Sequence, residues 1–207
     1  NFLYKIFSSE TAHQMTSNPL GEGQQRAGCV GTMTSPEVCI MDQAGSILSQ
    51  GVEGEVCIRG KNVTPGYENN PDANKASFTD GWFRTGDQGF FDTEGYLKLT
   101  GRLKEIINRG GEKISPLEVD NILMEHDSVQ QVVTFAVPDK MLGEDVAAAI
   151  VLAEGKQTTE ANIKAFAARS LSKFKVPKQI VFLDEIPKGA TGKLQRIGLA
   201  EKLGLVG

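Results

Sequence analysis

The rhythm of apolar and polar positions changes about halfway along the 207 residues. Short β-type runs dominate the first half: Glu37-Val38-Cys39-Ile40-Met41 and Glu55-Val56-Cys57-Ile58-Arg59 are apolar and β-branched enough to predict strands. Turn chemistry lies between them, at Asp42-Gln43-Ala44-Gly45 and Gly51-Val52-Glu53-Gly54. Gly89 to Leu99, interrupted by Asp92-Thr93-Glu94-Gly95, predicts another hairpin, whereas the Ser-, Thr-, Gly- and Pro-rich residues 16–36 predict loop. A small antiparallel barrel or sandwich is expected.

Beyond Arg102 the pattern alternates strand and helix. A glycine-rich hairpin is predicted over 106–114, followed by a helix opened by Ser115-Pro116, because serine caps a helix and proline suits its first turn. Gln130–Val137 and Val146–Leu152 predict strands, separated by a loop containing Pro138-Asp139 and Gly143. Thr158-Thr159-Glu160 opens a helix in which Ile163, Phe166, Ala167 and Leu171 recur at helical spacing. Such a stripe belongs to a core rather than a ligand groove. Ile180–Leu183 supplies a third strand and Leu194–Leu203 a closing helix. The expected fold class is α+β: a β-barrel-like domain over 1–103 and an α+β domain over 104–207, with a short sheet flanked by helices.

Composition narrows the function classes. The longest apolar run, Val146–Ala153, is far below the roughly 18 residues that a membrane helix requires. A net charge of −4 and a pI near 5.3 do not supply the basic stripe of a nucleic-acid binder, so any bound phosphate must be gripped locally. Cys29, Cys39 and Cys57 are odd in number and widely spaced, which points to buried thiols in a reducing, cytoplasmic setting rather than to a disulfide framework or a zinc site. The chain starts at Asn1 without a secretory pattern and reads as a fragment; its end, Leu203-Gly204-Leu205-Val206-Gly207, is not a Ser-Lys-Leu type of peroxisomal address.

Three short segments carry the chemistry: Thr85-Gly86-Asp87, Gly101-Arg102 and Pro187-Lys188-Gly189-Ala190-Thr191-Gly192-Lys193. They supply an acid that can accept from a ribose diol, a guanidinium that can grip a polar ligand, and an ammonium on a flexible loop that can approach a phosphate. Read singly, Asp87 is a turn residue and Lys193 a solvated lysine. Gly189 to Leu194 is not a Walker A loop, since it lacks the four-residue spacer and the terminal Ser or Thr.

In this order, with Gly81-Trp82-Phe83-Arg84 before them and Gly110-Gly111-Glu112-Lys113-Ile114-Ser115-Pro116-Leu117-Glu118 between, the segments resemble the adenylate-forming acyl-CoA synthetase superfamily from about Glu10 to Arg196. The resemblance implies ATP, Mg²⁺ and CoA as cofactors. Asp87 and Arg102 would hold the ribose, and Lys193 would reach the α-phosphate and the substrate carboxylate when the second domain closes. Lys104 would be the hinge of a domain rotation, Gly110 and Gly111 would line the tunnel for CoA's thiol, and Lys113 is a candidate contact for a CoA phosphate. Ser9-Glu10 resembles the family's Thr-Glu, with Ser9 toward the phosphate and Glu10 toward magnesium. Two departures stand out: Ile6-Phe7-Ser8 replaces the aromatic that stacks on adenine, and Gly110 occupies a position where many relatives carry lysine.

Glu10-Thr11-Ala12-His13-Gln14-Met15 fits the Thr-Glu-x-x-His-x-Met arrangement of the plant and fungal oxalate-CoA ligase branch, in which His13 would hold a second substrate carboxylate. An imidazole donor suits a small dianion better than a long acyl chain. A loop histidine in a partner contact is the bland alternative. Phe174-Lys175-Val176-Pro177-Lys178 also resembles that branch. The expected function is therefore part of an ATP-dependent acid–thiol ligase acting on a carboxylate, oxalate favoured. The alternatives are a fragment of a 4-coumarate-like or medium-chain ligase, or a noncatalytic remnant that binds nucleotide or a partner. The family's Ser/Thr/Gly-rich phosphate loop is not among these residues, so the chain is expected to need the upstream part of the large domain and to be inactive alone.

Overall fold

A computed structural model of the chain describes residues 5–8, 13–19, 21, 24–189, 192 and 194–206. It divides into two compact units, Asn1–Leu103 and Lys104–Gly207.

In the first unit, β1 (Lys5–Ser8), β2 (His13–Ser17) and β3 (Thr32–Met33) form a three-stranded antiparallel sheet. A second sheet holds β4 (Glu37–Met41) and β5 (Gly54–Arg59), then, after α1 (Pro71–Ser77), β6 (Phe78–Thr79), β7 (Trp82–Phe91) and β8 (Leu97–Arg102). Its order is β4-β5-β7-β6, with β8 also paired to β7. Residues 16–36 are thus not all loop. Met15 is buried and the Thr16 hydroxyl donates to the Val30 carbonyl at 2.8 Å, so the polar side chains there satisfy a sheet rather than a solvated turn.

Strict alternation in β4 and β5 gives the second sheet two buried faces. Val38, Ile40, Val56 and Ile58 pack with Met15, Phe83 and Leu97 on one face. Cys39, Cys57, Met41 and Trp82 pack on the other. Short α1 was not legible as an apolar stripe, because none of its residues is buried; Asn70 starts it by accepting from the Ala73 N–H at 3.1 Å.

The second unit opens on a 3₁₀ turn that ends at Glu105, continues with β9 (Ile107–Arg109) and β10 (Glu112–Ile114), and then enters α2 (Pro116–Met124). Ser115 caps α2 as its sequence predicts, accepting from the Glu118 N–H at 3.4 Å. β11 (Val129–Asp139) and β12 (Gly143–Leu152) form the long central hairpin. After α3 (Glu160–Ala167), β13 (Gln179–Phe182) adds parallel to β12. The sheet order is β10-β9-β12-β11, with β13 on β12.

Residues from both parities of the hairpin are buried, which explains why Val146–Ala153 reads as a continuous apolar run. Val132, Val146, Ala148 and Ile150 pack toward Val119, Leu123 and Ile163. Val133, Phe135, Ala147 and Ala149 pack toward Ile186, Leu199 and Ala200. The closing helix is shorter than its sequence predicts: α4 spans only Leu199–Lys202, because Gly198 at φ +76° breaks the helical backbone just before it.

Candidate functional site

Thr85, Gly86 and Asp87 interrupt the pairing of β7 with β5. Cys57 pairs with Arg84 and Glu55 with Gln88, so three residues of β7 stand opposite the single residue Val56. The surplus lifts Thr85-Gly86-Asp87 out of the ladder as a bulge, with Gly86 at φ +75°. Local hydrogen bonds fix this conformation. Thr85 Oγ1 donates to the Val56 carbonyl at 2.8 Å and accepts from the Asp87 N–H at 3.1 Å.

Glu55 is the second support of the bulge. One carboxylate oxygen accepts from the Gly86 N–H at 2.9 Å and the other from Arg84 Nε at 2.7 Å. Arg84 also donates to the Asp42 carbonyl at 2.9 Å and to Thr79 Oγ1 at 3.3 Å, so its buried charge is compensated on several sides. Glu55 belongs to none of the sequence motifs. The available signal was its place in Glu55-Val56-Cys57: it alternates onto the same face as buried Cys57, where an acid needs a partner.

Asp87 meets Arg102 directly across β7 and β8, with Arg102 Nε 2.8 Å from Asp87 Oδ1. The acid is mostly covered, while 62% of the arginine side chain remains exposed. A covered acceptor beside an exposed guanidinium fork fits a polar, hydroxyl-bearing ligand such as a ribose. Cys57 stands beside Arg84 and opposite Cys39. The hydrogen bond between the two thiols, together with burial, pushes the Cys57 thiol far above its ordinary range, so it stays protonated and serves the core.

In the second unit, Gly110 and Gly111 form the tip of the β9–β10 hairpin, at φ +58° and +96°. The Gly110 N–H donates to the Leu142 carbonyl at 2.9 Å. A Cβ on Gly110 would lie 3.0 Å from Leu142 Cδ2, whereas one on Gly111 would meet nothing within 4 Å. The hairpin tip therefore presents bare backbone to its surroundings. Lys113 on β10 and Lys104 in the 3₁₀ turn are both exposed.

His13 is the first residue of β2, paired with Ser8 of β1. Ser9, Glu10 and Lys193 lie outside the described residues. Among the described residues there is no group of three or more His, Cys, Asp or Glu side chains that could hold a metal ion.

Residues 8–68 match the AMP-binding enzyme family, and residues 118–193 match the AMP-binding enzyme C-terminal domain. The chain belongs to the AMP-binding enzymes. It is 53% identical over 189 residues to an oxalate–CoA ligase of Arabidopsis thaliana, which covers 91% of this chain and 37% of that protein. It is 51% identical over 195 residues to the oxalate–CoA ligase of Saccharomyces cerevisiae, covering 93% of this chain and 36% of that one. This member of the family thus spans little more than a third of the length of these relatives.

Among solved AMP-binding structures, ATP-bound MatB from Rhodopseudomonas palustris superposes with a TM-score of 0.89 at 32% identity, covering 97% of this chain and 40% of that chain. O-succinylbenzoate coenzyme A synthetase from Bacillus subtilis, in complex with ATP and magnesium ion, gives 0.84 at 31% identity, covering 95% of this chain and 41% of that one.

Proposed function

We propose that this chain is the C-terminal part of an ATP-dependent acid–thiol ligase that adenylates a small carboxylate, oxalate favoured, and passes the acyl group to CoA. Identity above 50% to two oxalate–CoA ligases, one of a plant and one of a yeast, carries this reading.

The chemical problem is to bring a carboxylate against an α-phosphate, two anions, while pyrophosphate leaves; charge neutralisation and positioning are the main tasks. Asp87 and Arg102 are assigned to the ribose, Asp87 accepting from its hydroxyls and Arg102 donating from the exposed part of its fork. Lys193, in a sequence segment whose Gly189 and Gly192 allow bending without steric cost, is assigned to the phosphate and the substrate carboxylate during adenylation. Ser9 is assigned to the phosphate and Glu10 to the positioning of Mg²⁺, which neutralises phosphate charge when bound. His13 is assigned to the second carboxylate of the substrate.

For the thiol step, rotation about Lys104 brings forward the Gly110-Gly111 tip, whose bare backbone admits the thiol of CoA, with Lys113 toward a CoA phosphate. Because the matched stretch is 91% of this chain but only 37% of its relative, the 207 residues alone are proposed to be inactive.

Two assays test the reading. Pyrophosphate release by the isolated chain with oxalate and ATP is expected at background; robust turnover would overturn the proposed inactivity. A panel of carboxylates offered to the longer enzyme containing this chain, with and without His13→Ala, is expected to show a loss specific to oxalate. Equal activity on cinnamates would overturn the oxalate assignment.

A further inference from the structure

We infer that Arg196 is a positioning residue that fastens the segment carrying Lys193 to the turn containing Lys104, so that the two travel as one piece. This rests on the ligase reading above for its purpose, but not for its test.

Arg196 lies three residues beyond Lys193. Its Nε is 3.0 Å from Glu105 Oε2, in the turn that opens the second unit. Its Nη1 is 2.6 Å from Asp120 Oδ2 on α2 and donates to the Thr134 carbonyl on β11 at 3.1 Å. The Thr134 N–H closes the network by donating to Asp120 Oδ1 at 2.7 Å. One guanidinium thus joins the C-terminal segment to three separate elements. The fork uses two nitrogens for two different acids, which a single ammonium cannot reproduce.

The two acids have different roles. Asp120 is almost fully buried, which pushes its carboxyl above the ordinary range against the pull of Arg196. That half of the network is a requirement of the core. Glu105 is different: about a quarter of its side chain is exposed, and nothing in the core requires a charge there. What its ion pair adds is a tie between the residue after Lys104 and the residue three after Lys193. Both partners border a cavity of about 360 Å³ that is also lined by Lys104 and Ile197.

Hydrogen exchange on the full 207-residue chain tests the tie. Glu105→Gln is the main variant because it leaves Asp120 paired and the fold intact, and Arg196→Lys is the second because it keeps a charge for Asp120. Both are expected to accelerate exchange about fivefold, as befits loss of one half-buried ion pair, in peptides over 103–108 and 186–197 together. The second window contains the Gly192 N–H, which donates to the Gly189 carbonyl at 2.9 Å, and the bridge between Lys188 and Leu194. Rates in β11 and β12 are expected to stay unchanged. Acceleration confined to 103–108, no acceleration, or an equal rise through β11 and β12 would each overturn the inference, the last by marking the pair as ordinary scaffold. No catalysis enters the readout, so failure of the carboxylate panel would sink the ligase reading alone and absence of the exchange pattern would sink the tie alone.

Discussion

Asp87 and Arg102 occupy a directly opposed register position on β7 and β8, and their side chains close the position with a 2.8 Å contact between Oδ1 and Nε. A ligand that donates hydrogen bonds to this acid must share it with the arginine, so the pair is better suited to binding than to stability. With most of the arginine in solvent, the pair is worth no more than about 0.5 kcal/mol to the fold. Arg102→Ala is expected to leave the thermal midpoint of the first unit within about 3 °C of the unchanged chain, as read by calorimetry. In the longer enzyme the same variant is expected to weaken ATP binding about tenfold in equilibrium titrations, the size of one lost charge-assisted hydrogen bond.

Glu55 should behave in the opposite way. Glu55→Ala removes the acceptor of the Gly86 N–H and leaves Arg84 short of its carboxylate in a mostly buried place. The expected cost is about 3 kcal/mol. Trp82 is the single tryptophan of the chain and lies in the first unit, so its fluorescence during urea unfolding reports that unit by itself. A midpoint unchanged in Glu55→Ala would show that the bulge needs no such support.

At the β9–β10 tip, Gly111 has open space around it but a backbone at φ +96°, which a side chain adopts only with strain. Gly111→Ala is expected to cost about 1–2 kcal/mol through the backbone alone, measured by circular dichroism during urea unfolding. Substitution by asparagine, which tolerates left-handed conformations, should cost less.

Asp139 gives a pH dependence with a defined sign. Its carboxyl accepts a hydrogen bond from Lys178 at 2.8 Å and further ones from the N–H groups of Met141 and Leu142, and these hold it well below the usual carboxylate range. A folded-state value below the unfolded one means that the stabilisation is present above about pH 4 and is lost as pH falls below it. Asp139→Asn is therefore expected to be less stable than the unchanged chain at pH 7, with the gap closing below pH 4 in denaturant titrations run at both values.

Much of this was legible in the sequence where periodicity and side-chain chemistry agree. The strands at Glu37–Met41 and Gly54–Arg59, the cap at Ser115 and the buried stripe of α3 follow from local pattern. The acid and guanidinium of the site stood out by type, and their pairing became visible only with the register of β7 and β8. What escaped has a physical reason in each case. β2 and β3 hide in polar composition because Thr16 and Asn18 satisfy backbone carbonyls inside the fold. α4 is shorter than its apolar stretch suggests because one glycine at positive φ, Gly198, breaks the helical backbone before it. Glu55 and Arg196 look like surface charges in one dimension, and their partners lie 29 to 91 positions away along the chain.

The bulge at Thr85–Asp87 has an arithmetic that protects the rest of its strand. Three residues stand where one would suffice, an excess of two, and sides of a strand repeat every two residues. Phe83 before the interruption and Phe91 after it consequently enter the same core cluster. A surplus of one would have turned every side chain beyond it inside out. An even-numbered interruption lets β7 raise an acid to the surface midway along its length and resume as though it had never stopped.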